Sequence, residues 1–285
     1  MTGSGTQQDP YILTTWQELI DTTNRTTTDF CEWQGGDVDL NNIKPEGYTD
    51  SVVVNGIIDF KNATIKNLHT ITSGYNIPII FAFGTNGYIK NLNLLNCFFT
   101  GDYKYAIQFG KNVSSDMYLE NLRIGIFLDL TNANSECTII STSPDSRHYD
   151  SVFQKCSFNF RSDTQSKVCL VYGRRQDFYD CQLDFDIKSE DGYNVVENEY
   201  KADVYHSIIR GRYVGQTEAA KNFTGFNNHS NIYLFDEGSY TSNSQGITIY
   251  DSETCTITGT NVKGCTSTQM ADTAYLKSIG FAIGD

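Results

Sequence analysis

Three four-residue phrases, Phe153-Gln-Lys-Cys156, Phe178-Tyr-Asp-Cys181 and Val204-Tyr-His-Ser207, recur at intervals of 25 (181 − 156) and 26 (207 − 181) residues. Each is followed by an alternating run: Ser157-Phe-Asn-Phe-Arg161, Gln182-Leu-Asp-Phe-Asp186 and Ile208-Ile-Arg-Gly-Arg212. Alternation signals strands with one buried face. Self-similarity at this period signals stacked units, because one unit cannot bury its apolar face alone. The phrase extends backwards to Ile65-Lys-Asn-Leu68, Ile89-Lys-Asn-Leu92 and Leu119-Glu-Asn-Leu122, and forwards to Ile232-Tyr-Leu-Phe235.

Apolar residues at the first and fourth positions of a phrase cannot both face inward on a flat strand, whose side-chain period is two. A bend is expected at the third residue: Asn67, Asn91, Asn121, Lys155, Asp180 and His206. Asn, Asp and His tolerate the left-handed region better than other non-glycine residues, so Lys155 is the poor fit. Equivalent residues in stacked strands lie about 4.8 Å apart, close enough for corner amides to bond from layer to layer. The expected fold is all-β: a single-stranded right-handed parallel β-helix, with the hand set by the usual crossover preference. Residues 1–30 are expected to form an entry and a short helical cap. Residues 31–265 are expected to form the solenoid with loop insertions, and 266–285 a closing segment.

Composition narrows the function. The net charge of −13 argues against binding a phosphate backbone, which needs clustered Lys and Arg. No apolar run is long enough to cross a membrane as a helix. Met1-Thr-Gly-Ser-Gly-Thr lacks the basic start and apolar run of a signal peptide. The 8 Cys show no CxxC and no zinc spacing, and Cys97, Cys156 and Cys181 fall at apolar strand positions. They are expected to be buried thiols made in a reducing compartment. The four His, at 69, 148, 206 and 229, form no metal motif. Asp37-Val-Asp-Leu-Asn41 starts like a calcium loop, but Asn42 and Tyr48 stand where Gly and an acid are needed. No cofactor and no metal site are therefore expected.

At the start, Thr15-Trp-Gln-Glu18 fits a capping box, with Trp16, Leu19 and Ile20 on one helical face. Such a helix would cover the raw end of a stacked sheet. Gly3-Ser-Gly-Thr-Gln-Gln-Asp-Pro-Tyr-Ile-Leu13, then Asp37-Val-Asp-Leu40, then Thr64-Ile-Lys-Asn-Leu68 resembles a leader found in β-helical surface proteins of bacteria and phages. These include adhesin-like repeat proteins and phage fibre, spike or decoration proteins. Thr266 to Phe281 is similar to their closing segments. Here Phe60-Lys-Asn-Ala63 replaces the family's Gly-rich turn, and the repeats typical of the adhesins are missing. The resemblance implies a surface-type protein, and such a leader without an export signal leads to the expectation of a surface-exposed structural protein of a phage virion, assembled in the host cytoplasm. Its partners would be other virion proteins, further copies of itself (a trimer is common in such fibres) and host polysaccharide. Neither nucleic acid nor membrane is expected.

Two outward features could carry chemistry. One is the pair of columns Asn159, Asp184, Arg210 and Arg161, Asp186, Arg212. Asp184, Asp186, Arg210 and Arg212 are the candidate catalytic residues of an alternative, a lyase or glycosidase of β-helix type. The other reading of the same residues is a neutralising charge stack, which is favoured. The second feature is a tyrosine column, Tyr179, Tyr205 and Tyr233, whose rigid amphipathic rings suit sugar or protein binding. Residues 96–116, 131–148, 188–200 and 214–230 are polar and are expected to leave the strands as surface loops. A third possibility is an adhesin fragment. The structural virion protein is the preferred reading and an enzyme the lesser one.

Overall fold

The computed structural model describes residues 1–21, 29–40, 52–54, 56–72, 81–83, 87–101, 105–109, 117–130, 137–142, 150–164, 168–172, 175–189, 193–196, 201–215, 226–235 and 238–281. The chain opens with β1 (Tyr11–Leu13), α1 (Trp16–Asp21), β2 (Phe30–Trp33), β3 (Val38–Asp39) and β4 (Val52–Val54). Then come β5 (Ile57–Lys66), β6 (His69–Thr72), β7 (Phe81–Phe83), β8 (Tyr88–Gly101), β9 (Tyr105–Phe109) and β10 (Met117–Leu130). The middle holds β11 (Cys137–Thr142), β12 (Asp150–Gln154), β13 (Ser157–Thr164), β14 (Val168–Tyr172), β15 (Arg175–Tyr179) and β16 (Gln182–Ser189). The last elements are β17 (Tyr193–Val196), β18 (Lys201–Gly215), β19 (Phe226–Phe235), β20 (Gly238–Asp251), β21 (Cys255–Cys265), α2 (Ser267–Ala271) and α3 (Thr273–Ser278).

The expected single-stranded right-handed β-helix is not what forms. Strands make up 65% of the structure, but six of them close into an all-parallel barrel with the remaining strands outside it. The ring runs β10-β12-β15-β18-β16-β13 and back to β10. It closes because β10 and β18 turn the corner without breaking. β10 pairs with β12 before Asn121 and with β13 after it. β18 pairs with β15 before His206 and with β16 after it. One residue with positive φ turns the chain while its neighbours stay extended, so ladder bonds continue on both sides. At Lys155-Cys156 and Asp180-Cys181 the same turn interrupts the strand instead.

Every expected corner residue has positive φ: 60° at Asn67, 57° at Asn91, 54° at Asn121, 54° at Lys155, 53° at Asp180 and 46° at His206. The amide ladder is present. Asn121 Nδ2 donates to Asn91 Oδ1 at 2.7 Å and to Asn62 Oδ1 at 3.2 Å, and Asn91 Nδ2 donates to Asp59 Oδ1 at 2.9 Å. Burial would raise the Asp59 carboxyl. The bonds from Asn91 and the Lys61 backbone N–H, with the charges of Lys90 and Lys61, outweigh it and hold the pKa below the ordinary value.

The register differs from the sequence alignment at both ends. Ile58 lies beside Ile89, and Ile65 beside Leu94. Ile65-Lys-Asn-Leu68 therefore belongs to a second corner, next to Asn96 (φ 52°), while Lys61 and Asn62 (φ 53° and 62°) make the corner beside Asn91. Both corners need a left-handed residue, so both carry Asn and look alike in sequence. At the other end Tyr205 lies beside Ser230, and Tyr233 beside Ile209. Ile232-Tyr-Leu-Phe235 is thus not the next copy of the phrase.

The core is built from inward columns. Ile89, Leu119, Phe153, Phe178 and Val204 stand on successive strands, each at most 1% exposed. Phe153 and Phe178 stack at 4.6 Å with 8° between ring planes. Across the corner, Leu92, Leu122, Cys156, Cys181 and Ser207 are also buried. Of the eight cysteines, the six whose side chains are described, 31, 97, 156, 181, 255 and 265, are buried and form no disulfide. Burial pushes the Cys97 thiol up to about 12. It raises Cys181 as well, helped by neighbouring Cys156.

All four of the expected loops contain strand residues, which in 214–230 are the end of β18 and the start of β19. β9, β11 and β17 lie within 96–116, 131–148 and 188–200, and with β14 they form a separate parallel sheet ordered β17-β14-β11-β9. Their short apolar stretches, such as Tyr105-Ala-Ile, are lost among polar neighbours in the sequence.

Both chain ends are capped locally. In α1, Thr15 Oγ1 accepts from Glu18 N and Glu18 Oε2 accepts from Thr15 N, each at 3.2 Å. At the other end Thr266 and Gln269 form the same reciprocal pair, and the Asp272 carboxylate accepts from Ala274 N at 2.9 Å. Leu276 and Phe281 pack with Ile249 and Cys265, so the closing segment docks on its own chain. Ala282 and Ile283 lie outside the described residues.

Two outcomes follow. Lys155 bears a left-handed conformation that Asn accepts more readily, so Lys155→Asn should raise the unfolding free energy by about 0.5–1 kcal/mol in a urea titration. In the native protein at pH 8, peptide mapping after iodoacetamide should find none of Cys31, Cys97, Cys156, Cys181, Cys255 and Cys265 alkylated. All six should react in guanidinium.

Candidate functional site

The outward side of β8, β10, β13, β16, β18 and β19 carries two adjoining cavities of about 640 and 550 Å³. Both are lined by Asn159 and Arg161, so they form one groove across the strands. Five strand-to-strand steps at about 4.8 Å give it a length of roughly 24 Å. Its floor is a column of register partners: Gly125, Asn159, Asp184 and Arg210, with Leu234 beyond.

A backbone irregularity opens the groove. Ile124 pairs with Leu94, but Ile126 pairs with Cys97. Leu95 and Asn96 therefore face the single residue Gly125, which is a β-bulge. The bulge ends the second corner seen at Asn67 and Asn96, and β10 runs straight past it. Leu95 is lifted into solvent, where it is 36% exposed. A Cβ placed on Gly125 would meet nothing within 4 Å. Beside it, the rings of Phe98 and Phe127 stack at 5.0 Å with 3° between planes. At the far end the groove meets Asp251 and Thr254, in the turn where Thr254 N donates to Asp251 O at 3.3 Å.

Alternation on β13, β16 and β18 turns Phe158, Phe160, Leu183, Phe185 and Ile209 inward, where all are buried. Asn159, Arg161, Asp184, Asp186 and Arg210 consequently face the groove. Gln182 Nε2 donates to Asp184 Oδ2 at 2.5 Å, and Arg210 Nε lies 3.9 Å from Asp184 Oδ1. The favoured charge stack does not close. Among the described residues neither Arg161 nor Asp186 makes an ion pair, although they are register partners. Arg212 pairs with Asp186 in the ladder, and its side chain lies outside the described residues. The groove thus brings together Asp184, Asp186 and Arg210, together with Phe98, Phe127 and Gly125, which the columns alone did not reveal. The signal for the last three was the mismatch of Leu94-Leu-Asn-Cys97 with Ile124-Gly-Ile126.

The tyrosine column holds only in part. Tyr179 and Tyr205 stack at 4.5 Å and 7° on the other side of the corner. Burial, with the nearby Asp203 charge, raises the Tyr205 hydroxyl pKa. Tyr233 is 1% exposed because its register places it beside Ile209 on the inward side, so it cannot belong to a surface column. Tyr88 and Tyr118 approach edge to face at 6.1 Å further along that surface. Among the described residues no three His, Cys, Asp or Glu gather as a metal site, and no helix is long and apolar enough to cross a membrane.

The Asp184–Arg210 contact is long and the Arg210 side chain is 50% exposed. A double-mutant cycle of Asp184→Asn and Arg210→Gln should therefore return a coupling below about 1 kcal/mol in thermal unfolding. Compared with known proteins, the chain matches no family model, no curated protein and no solved structure.

Proposed function

We propose that this chain is a structural, non-enzymatic component of a phage particle. It would be a surface-exposed fibre, spike or decoration protein of capsid or tail that adheres to host-surface glycan. The observation that carries the adhesive part is the groove over Gly125, Asn159 and Asp184, long, open and lined by aromatic, amide and charged side chains. Stacked rings beside hydrogen-bonding groups suit a sugar chain, whose faces are apolar and whose edges are polar. The particle assignment is supported by the resemblance of the leader at Gly3 to Leu13. Other virion proteins and further copies of the chain are its proposed partners.

Cleavage of the glycan is the second reading. It is favoured by Asp184 and Asp186 sharing the groove with Arg210, because paired carboxylates are the usual machinery of glycoside hydrolysis. The adhesin reading shares the binding step and differs in whether the protein is found on a particle or on a cell surface.

The test incubates purified protein with host-cell polysaccharide and follows co-sedimentation and newly formed reducing or unsaturated ends together. Binding without new ends is expected. New ends at a catalytic rate, lost in Asp184→Asn, would replace adhesion with cleavage. Gly125→Phe fills open space in the groove, so it should cut binding at least tenfold and leave the melting temperature within a few degrees.

A further inference from the structure

We propose that the groove selects a neutral, hydroxyl-rich glycan over an acidic one, with one sugar ring seated on Phe127. The inference rests on the adhesive reading above and names its ligand class. Arg161 donates without accepting, as Arg210 does two strands away in the same cavity, and Asp186, the register partner of Arg161, accepts without donating. Neither is engaged by another described residue, and both line the cavity. They stand one strand apart, about 4.8 Å, yet do not close on one another. A group lying between them must accept from the guanidinium and donate to the carboxylate. A hydroxyl does both. A sugar carboxylate only accepts, and at Arg161 it would sit within one strand spacing of Asp186 and near Asp184, where like charges repel. Asn159, on the same strand as Arg161, can also donate and accept.

The apolar part of the site lies next to it. Phe127 is the register partner of Arg161 on β10, and its ring is held parallel to Phe98. A ring seated there would place its edge hydroxyls toward Arg161 and Asn159. Continuing one strand on, the next hydroxyls would meet Asp184 and Asp186. The protein's net charge of −13 works in the same direction, since it disfavours a polyanion at long range.

The experiment is a printed array of bacterial surface polysaccharides, neutral and uronate-bearing, probed with wild type, Arg161→Gln, Asp186→Asn and Phe127→Ala at 50 and 300 mM salt. Retained circular dichroism and melting temperature establish that each variant is folded. Wild type should bind neutral glycans, with less than a threefold change across the salt range. Each variant should lose at least tenfold of that binding. Binding confined to uronate-bearing glycans, or a loss above tenfold between 50 and 300 mM salt, would overturn the neutral-ligand inference and leave the adhesive reading standing. Binding to neutral glycans that all three variants retain would place the site elsewhere and also overturn it. No binding to any glycan would overturn the adhesive reading itself.

Discussion

The structure depends on placing like residues directly above one another. In parallel pairing the side chains of successive strands meet at a fixed spacing, so each column either packs or repels along its whole length. The inward columns pack. Phe153 on Phe178 is face to face, and Phe158 meets Phe153 edge to face at 5.7 Å. The corner columns hold because a left-handed backbone recurs at the same point on each strand. Where that point is Asn, the side chain adds a bond to the next layer, as from Asn121 to Asn91. The corner then stabilises the stack as well as turning the chain.

The corner also decides how the strands connect. A single left-handed residue is a tight enough turn for β8, β10 and β18 to keep pairing on both sides of it. The two sides are thereby joined into one sheet, and six strands close on themselves. A closed ring has no free edges, which removes a route to aggregation. The outermost strands are protected differently. β1 is only three residues long and is bridged by Thr2, while β21 carries positive φ at Gly259 and Asn261 and is followed directly by the α2–α3 segment.

Much of this was legible in the sequence, and the failures have physical causes. The spacing of Phe153, Phe178 and Val204 gave their register, because a buried face tolerates no one-residue slip. The six corner residues could be named because few side chains accept positive φ. That same economy misled the alignment at Ile65-Lys-Asn-Leu68, since two different corners make the same demand. Tyr233 was misplaced because Asn228 to Asn231 has lost the apolar signature that marks the phrase elsewhere. Closure of the ring was not legible, because whether a strand breaks or continues at a corner depends on pairing with its neighbours. The groove was half legible. Alternation turned the Asp and Arg columns outward, but the bulge at Leu95-Asn96 depends on counting residues against the partner strand.

The unclosed contact between Arg161 and Asp186 separates a structural column from a binding one. A charge stack that served stability would be expected to close, since its members are register partners on rigid strands. Closing it would contribute little, because exposed ion pairs are worth about 0–1 kcal/mol after screening and side-chain ordering. Leaving the two charges apart therefore costs the fold almost nothing. It preserves a donor and an acceptor, aimed the same way and next to an aromatic platform. Stability at this surface comes instead from the Phe158, Leu183 and Ile209 side chains beneath it. The outward residues are consequently the ones that can change to suit a ligand without disturbing the core that positions them.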